Sequence, residues 1–260
     1  MMQTLFQNPV IIQGTVFMVS DFHLGAPDYR TSEEREERIV AWLSTISEEA
    51  THLFLLGDIF DFWFEYQDVV PKGYYKFWSQ ISLLVNKGIQ IYFFTGNHDM
   101  WVKNYFKDKF GFKIYKKQQA FIINGKKCMI GHGDGLGSDV IGYKIIKKLF
   151  SFKFNIFLYS LLHPRIAFGI AHFCSRKSRI YSTSYHDQEI NFDTEKLYQY
   201  ILDVSSKEEI DYFIYGHRHL PLEIKMPTGS VYYNTGDWMT HDSWLRMDDH
   251  HILLFQKTDL

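Results

Sequence analysis

The sequence predicts an α/β fold: two mixed β-sheets packed as a sandwich and flanked by helices, with a helical insertion. Three observations carry this. Strand-like apolar runs alternate with helical segments through the first half, whereas the second half reads as hairpins and strands. Five short blocks rich in Asp, His and Asn each follow a strand-like run, as loops at one end of a sheet would. The chain has 260 residues and is 46% apolar, enough for one large domain, or one domain carrying an insertion.

The elements follow in order. Val16–Ser20 reads as a buried strand, and residues 32–50 as a helix with Thr31 or Ser32 as its cap and glutamates in its first turn. Leu53–Leu56 is the second strand. Residues 73–86 form a helix that ends at Gly88, a residue able to take the left-handed turn that stops a helix. Ile91–Thr95 is the third strand, and residues 101–110 make a short helix closed by Gly111. Residues 121–123 and 127–130 read as a hairpin, because Asn124-Gly125 suits a type I′ turn. Residues 193–206 are helical and Tyr212–Tyr215 is a strand. Residues 222–226 and 230–233 form a second hairpin across Pro227-Thr228-Gly229, and residues 252–256 the last strand.

The five blocks are Asp21-Phe22-His23, Gly57-Asp58-Ile59-Phe60-Asp61, Gly96-Asn97-His98-Asp99, Gly131-His132-Gly133-Asp134 and Gly216-His217-Arg218-His219. In open α/β sheets ligands bind at the carboxyl ends of strands. Five such ends converging could hold two metal ions. Oxygen and imidazole donors without thiolate suit Mn, Fe or Zn rather than Cu(I). Asp99 and Asp134 read equally well as acceptors behind the ligands or as turn residues. His241, His250 and His251 read as surface or turn residues.

Residues 141–181 break the pattern. They contain eight basic residues and no Asp or Glu, so with a chain charge of −2 the remainder carries −10. Many large apolar residues share the segment, among them Phe154, Phe157 and Leu161. His163-Pro164 reads as the loop between its helices. Greasy and cationic together suggest an anionic amphiphile, acyl chains plus phosphate, or a membrane surface. The alternatives are a buried helical hairpin with a solvated basic face and, more weakly, nucleic acid, for which the apolar content exceeds what phosphate contacts need.

The five blocks, in order, resemble the calcineurin-like metallophosphoesterase superfamily: DxH, GDxxD, GNH[DE], a His-bearing block, then GHxH. The resemblance implies that Asp58 bridges two metals. It implies that Asp21, His23 and His219 complete one site and Asn97, His132 and His217 the other. His98 then lies outside the ligand set, where it contacts phosphate and protonates the leaving group, oriented by Asp61; the alternative is that Asp61 caps a turn. Paired ions about 3.5–4 Å apart clamp attacking and leaving oxygens and acidify water.

Within that superfamily the chain is similar to the UDP-2,3-diacylglucosamine diphosphatase family from about Val16 to Trp238. Gly57-Asp58-Ile59-Phe60-Asp61-Phe62-Trp63, the run His132 to Asp139 followed by Gly142-Tyr143, and Arg176-Lys177-Ser178 with Ser182-Thr183-Ser184 carry it. The similarity implies two divalent ions, Mn²⁺ above Fe or Zn. It also implies a nucleotide-diphospholipid substrate, attack at the α-phosphorus, and release of UMP and 2,3-diacylglucosamine 1-phosphate. Substrate contacts would come from Asn97, Asp139, Tyr143, Arg176, Lys177 and Arg179. Residues 135–184 become a lid on a core of 1–134 and 185–260. The expected setting is the cytoplasmic face of an inner membrane, with peripheral attachment, no nucleic acid and no obligate protein partner. Two positions depart from the family pattern: His98 stands where Arg is common, and Val140 where an acid follows Asp139.

The two cysteines, Cys128 and Cys174, are too few for a disulfide framework, which fits a reducing cytosol. The first basic residue is Arg30, so no basic signal-peptide region is expected, and no apolar run reaches membrane-spanning length. Two further readings remain: a dimetal phosphohydrolase acting on a soluble nucleotide diphosphate, a cyclic nucleotide or another phospholipid, and a non-catalytic scaffold on the same fold.

Overall fold

The structure is a computed structural model that describes residues 5–26, 29–137, 148–186, 192 and 194–257. It contains two six-stranded mixed sheets. One runs β12-β11-β2-β3-β4-β5, the other β1-β6-β7-β8-β10-β9. Their strands are β1 (Val10–Ile12), β2 (Val16–Val19), β3 (His52–Leu55), β4 (Gln90–Phe94), β5 (Lys113–Tyr115), β6 (Gln119–Ile123), β7 (Lys126–Ile130), β8 (Tyr212–Tyr215), β9 (Pro221–Lys225), β10 (Val231–Thr235), β11 (Trp244–Met247) and β12 (Ile252–Phe255).

Strand alternation explains the layers. From β2, β3 and β4, residues Met18, Phe54, Tyr92 and Phe94, with Leu56 just after β3, face the other sheet, where they meet Phe121, Ile130, Ile214 and Tyr233. The alternate residues Phe17, Val19, Leu53, Leu55 and Phe93 pack on helices α1 (Tyr29–Ile46) and α2 (Tyr75–Asn86) through Ile39, Leu43, Phe77 and Ile81. Met129, Phe213 and Tyr215 back the second sheet and bury Leu197 and Ile201 of helix α6 (Lys196–Ser205). The order is therefore helix, sheet, sheet, helix, and the predicted fold class holds. Strands β2, β3 and β4 are parallel neighbours, as are β7 and β8, so their carboxyl ends lie on one edge of the sandwich.

Helix boundaries differ from the sequence reading for identifiable reasons. α1 begins at Tyr29 and Ser32 is no cap, because its hydroxyl accepts the backbone N–H of Gly25 (2.6 Å). α2 begins only at Tyr75, since Gly73 (φ 111°) and Tyr74 (φ 57°) are left-handed. Helix α3 (Tyr105–Phe110) is shorter than predicted, and Glu65 explains its start. The Glu65 carboxylate accepts the N–H groups of Lys103, Asn104 and Tyr105 at 2.9–3.2 Å. The Asn124-Gly125 turn has positive φ at both residues, as a type I′ turn requires. Three strands escaped the sequence reading: β1, β5 and β11.

In the insertion, helices α4 (Lys153–Ser160) and α5 (Pro164–His186) meet at a turn, with Pro164 at the first helical position where a missing N–H costs nothing. Phe62 and Phe64, which follow the second block, and Trp101, which follows the third, hold the insertion through Tyr159 and Phe168, with ring centroids 4.9–6.2 Å apart. The Trp101 indole N–H also donates to the carbonyl of Phe150 (2.9 Å). The apolar faces do not turn inward: Phe152, Phe154, Phe157, Leu161, Ile166 and Phe173 are all exposed, Leu161 at 66%. A buried helical hairpin is therefore excluded for α4. No described helix is long and apolar enough to cross a membrane.

Candidate metal centre

All five blocks leave strands at one edge of the sandwich, and the first, second and fifth are held under backbone strain. Asp21, His23, Asp58, His217 and His219 have φ between 43° and 69°, the left-handed region that non-glycine residues seldom adopt. The glycines in these blocks answer a different need. A Cβ on Gly96 would sit 2.7 Å from the backbone nitrogen of Asp58, and one on Gly216 would sit 2.7 Å from the Asp21 carboxylate. Only glycine lets the loops approach this closely.

Neighbouring groups then fix each side chain. Arg35 of α1 reaches across to the carbonyl of His23 (2.6 Å). Asp21 Oδ2 accepts from Ser20 and from the backbone N–H of His217 (2.9 Å). His132 Nδ1 meets the carbonyl of Leu56 (2.8 Å), which turns Nε2 toward Asp58 Oδ2 (3.4 Å). Asn97 Oδ1 lies 3.4 Å from the same Nε2. Asp99 resolves as a loop fastener: its oxygens accept the N–H groups of Ile59 (2.9 Å) and Gly96 (2.7 Å), tying the second block to the third.

The result is two clusters sharing a wall. Asp21, His23 and His219 bring donor atoms within 4.8 Å of one another, and so do Asp58, His132 and His217. Asp58 Oδ2 lies between them, 3.9 Å from His23 Nε2 and 3.4 Å from His132 Nε2. Asp21 Oδ1 and His23 Nε2 are buried without a hydrogen-bond partner. Buried orphan donors of this kind are costly unless an ion takes them, and carboxylate, imidazole and carboxamide suit a divalent cation. The donor set fits two ions.

Without ions the cluster is an alternation of charge. Burial disfavours a charged Asp58, yet the imidazoles of His132 and His98 outweigh it and hold the carboxyl well below its usual range. Burial likewise opposes charge on His23, but the carboxylates of Asp21 (3.6 Å) and Asp61 (3.7 Å) beside its ring raise it to about 10. His132 rises to about 10 against the same burial through the charge of Asp58. His217 falls to about 4, by burial and by its neighbour His132.

His98 sits beside the ligands. Its backbone N–H donates to Asp58 Oδ1 (2.8 Å). Its ring Nδ1 is 3.0 Å from the carbonyl of Asp61 and 3.6 Å from Asp61 Oδ1, so the backbone is the nearer partner. His98 also shares a donor cluster with His23 and Asp61. The Asp61 carboxylate is held far below its usual range despite burial, chiefly by His172 and His23.

Two residues of the insertion belong to this site and were missed in the sequence. Ser175 of α5, buried, donates to Asp61 Oδ1 (2.7 Å) and lies 3.4 Å from His98 Nδ1. His172 Nδ1 is 3.7 Å from Asp61 Oδ2. Their i, i+3 spacing puts both on one helix face, a signal available beforehand. Asp237 was missed as well, although Gly236-Asp237 follows a strand as the other blocks do; it meets His219 Nδ1 (3.1 Å). His241 lies in a turn, one of the two places the sequence reading gave it, and bonds to Asp237 (3.1 Å). Asp139 and Tyr143 lie outside the described residues. Arg176, Lys177 and Arg179 lie on the part of α5 from residue 176 onward, where only the backbone is described.

The calcineurin-like phosphoesterase family model matches residues 14–221, which include all five blocks. The chain belongs to the calcineurin-like phosphoesterase family. A UDP-2,3-diacylglucosamine hydrolase of Porphyromonas gingivalis is 30% identical to this phosphoesterase, over 96% of this chain and 100% of that protein. One of Histophilus somni is 29% identical over 85% of this chain and 91% of that protein. Among solved structures, an archaeal phosphodiesterase aligns over 93% of this chain and 99% of its own, with 12% identity and a TM-score of 0.46.

Proposed function

We propose that this phosphoesterase hydrolyses the diphosphate of UDP-2,3-diacylglucosamine, giving UMP and 2,3-diacylglucosamine 1-phosphate. The relatives named for that activity, aligned over most of the chain, support it. One observation carries it: α5 exposes Ile166, Ile170 and Phe173 and, on another face, seats Ser175 against Asp61 at the metal centre. A single helix thus joins a surface for acyl chains to a site for phosphate chemistry. A soluble nucleotide gives no reason for the apolar half.

Asp21, His23 and His219 would hold one divalent ion and Asn97, His132 and His217 the other, with Asp58 between them. Mn²⁺ is the ion we favour. Two bound cations would supply charge for the phosphate oxygens and lower the pKa of water. His98 stands at the rim, with Asp61 and Ser175 fixing its ring. Its pKa is lowered, mainly by burial, so the imidazole rests neutral and can hydrogen-bond the phosphate; once protonated, it is a stronger acid than free imidazolium and would give that proton to the leaving oxygen. Residues 135–184 act as a lid over the core, with Asp139, Tyr143, Arg176, Lys177 and Arg179 contacting the head group. The exposed Phe and Leu side chains attach the enzyme peripherally to the cytoplasmic face of the inner membrane.

The test is kcat/KM for UDP-2,3-diacylglucosamine against UDP-glucose. The diacylated substrate should be preferred by several orders of magnitude. Equal values would make the insertion ordinary packing and favour a phosphohydrolase of soluble nucleotides.

A further inference from the structure

The loop after β10 has the form of a ligand block but contributes no donor to either cluster. Asp237 is 4% exposed and uses both carboxylate oxygens. Oδ2 faces His219 Nδ1 at 3.1 Å. Oδ1 accepts the backbone N–H groups of Thr240 (3.0 Å) and His241 (3.1 Å) and meets His241 Nδ1 at 3.1 Å. The His241 ring also lies near the backbone of His219. That backbone is strained, with φ 57°. The same loop touches the cluster a second time, where the N–H of Trp238 donates to the carbonyl of Asp21 (3.2 Å).

We infer that Asp237 and His241 form a clamp that sets His219 for ion binding. Asp237 fixes the side chain and His241 sits beside the backbone. This rests on the dimetal reading given above. A carboxylate accepts only, so His219 must carry its proton on Nδ1. The lone pair is then on Nε2, the nitrogen 3.4 Å from Asp21 Oδ1. Asp21 Oδ1 is one of the buried atoms with no hydrogen-bond partner. A carboxylate behind a ligating histidine fixes its tautomer and orientation, and its loss weakens metal binding by about 10–100-fold. Asp237 and His241 are positioning residues, since neither donates an atom to the ion cluster.

Asp237→Asn separates this role from a structural one. The amide oxygen can still accept from Thr240 and His241, so the turn survives. The amide NH₂ is then left facing His219 Nδ1, which must become an acceptor. That moves the proton to Nε2 and removes the lone pair from the ion. Mn²⁺ titrated calorimetrically into metal-free protein should show two sites in the wild type. In the variant, one site should weaken by roughly 10–100-fold and the other stay unchanged. His241→Gln, which leaves the Asp237–His219 bond in place, should weaken the same site by less. Wild-type affinity at both sites of Asp237→Asn overturns the clamp, and so does equal loss of both, because the Asp58, His132 and His217 cluster does not touch Asp237. Should the variant fail to fold, nitrogen-15 spectra of histidine rings in metal-free wild type decide. His219 should carry its proton on Nδ1; a proton on Nε2 alone refutes the clamp. A wild type that binds no ion defeats the dimetal reading, while the ring spectrum still judges the clamp.

Discussion

Replacing Ser175 by Ala tests whether the insertion takes part in the chemistry or only covers the substrate. The Ser175 hydroxyl donates to Asp61 Oδ1 at 2.7 Å, and the Asp61 carbonyl is 3.0 Å from His98 Nδ1. A hydrogen bond to a charged group contributes about 1.5–3 kcal/mol. Asp61 keeps its contacts with His23 and His172, at 3.7 Å each, so the lower end applies. About 1.5 kcal/mol corresponds to roughly ten-fold in rate if the bond serves only to fix His98 for reaction. The assay compares kcat on the diacylated substrate with kcat on a small soluble phosphodiester that makes no use of the apolar surface. Both should fall by about the same factor of roughly ten, with KM for the diester little changed, and Ser175→Thr should restore most of the loss. If only the lipid substrate is affected, Ser175 is a lid contact and its bond to Asp61 is without catalytic consequence. If neither is affected, the reasoning from the 2.7 Å contact is wrong.

Three other outcomes follow from the same site. His98→Ala should lower kcat by roughly 10²–10⁴, the range for a positioned acid, with ion content unchanged by elemental analysis; loss of an ion would make His98 a ligand. Shortening the acyl chains should weaken binding about four-fold per methylene, from about 0.8 kcal/mol for each, and a flat series would rule out acyl burial. In metal-free protein His23 and His132 are held at about 10 against 6.5 for free histidine, so their stabilisation is complete below pH 6.5 and disappears as the pH rises through about 10. The melting temperature should therefore fall between pH 7 and 10, and less steeply in Asp58→Asn; parallel slopes in the two proteins would refute the assignment.

What the sequence made legible was local in origin. Buried parallel strands show as unbroken apolar runs, and the donor blocks stand directly behind them, so β2, β3, β4, β7 and β8 and the edge they share could be read one block at a time. The type I′ turn at Asn124-Gly125 was legible because both residues tolerate positive φ. Boundaries set by distant groups were not. Glu65 decides where α3 starts, and the left-handed Tyr74 decides where α2 starts. β1 and β11 are short, three and four residues, and each is completed by pairing, β1 with β6 and β11 with β2 and β12. The site repeats the lesson. Donor residues declare themselves by type and spacing, whereas Ser175, His172, Asp237 and His241 gain meaning only when the chain brings them from far away against Asp61 and His219. The apolar character of residues 141–181 was plain, but its exposure depends on how Tyr159 and Phe168 seat the helices on Phe62 and Phe64.

The most direct measurement is UMP release from UDP-2,3-diacylglucosamine by chelator-stripped protein titrated with Mn²⁺. The stripped protein should be inert, and activity should rise to a plateau at two ions per chain, the number of donor clusters that meet at Asp58. UMP formed at full rate without added ion, or a plateau at one, would contradict the two-ion centre. Full loading without UMP would contradict the substrate.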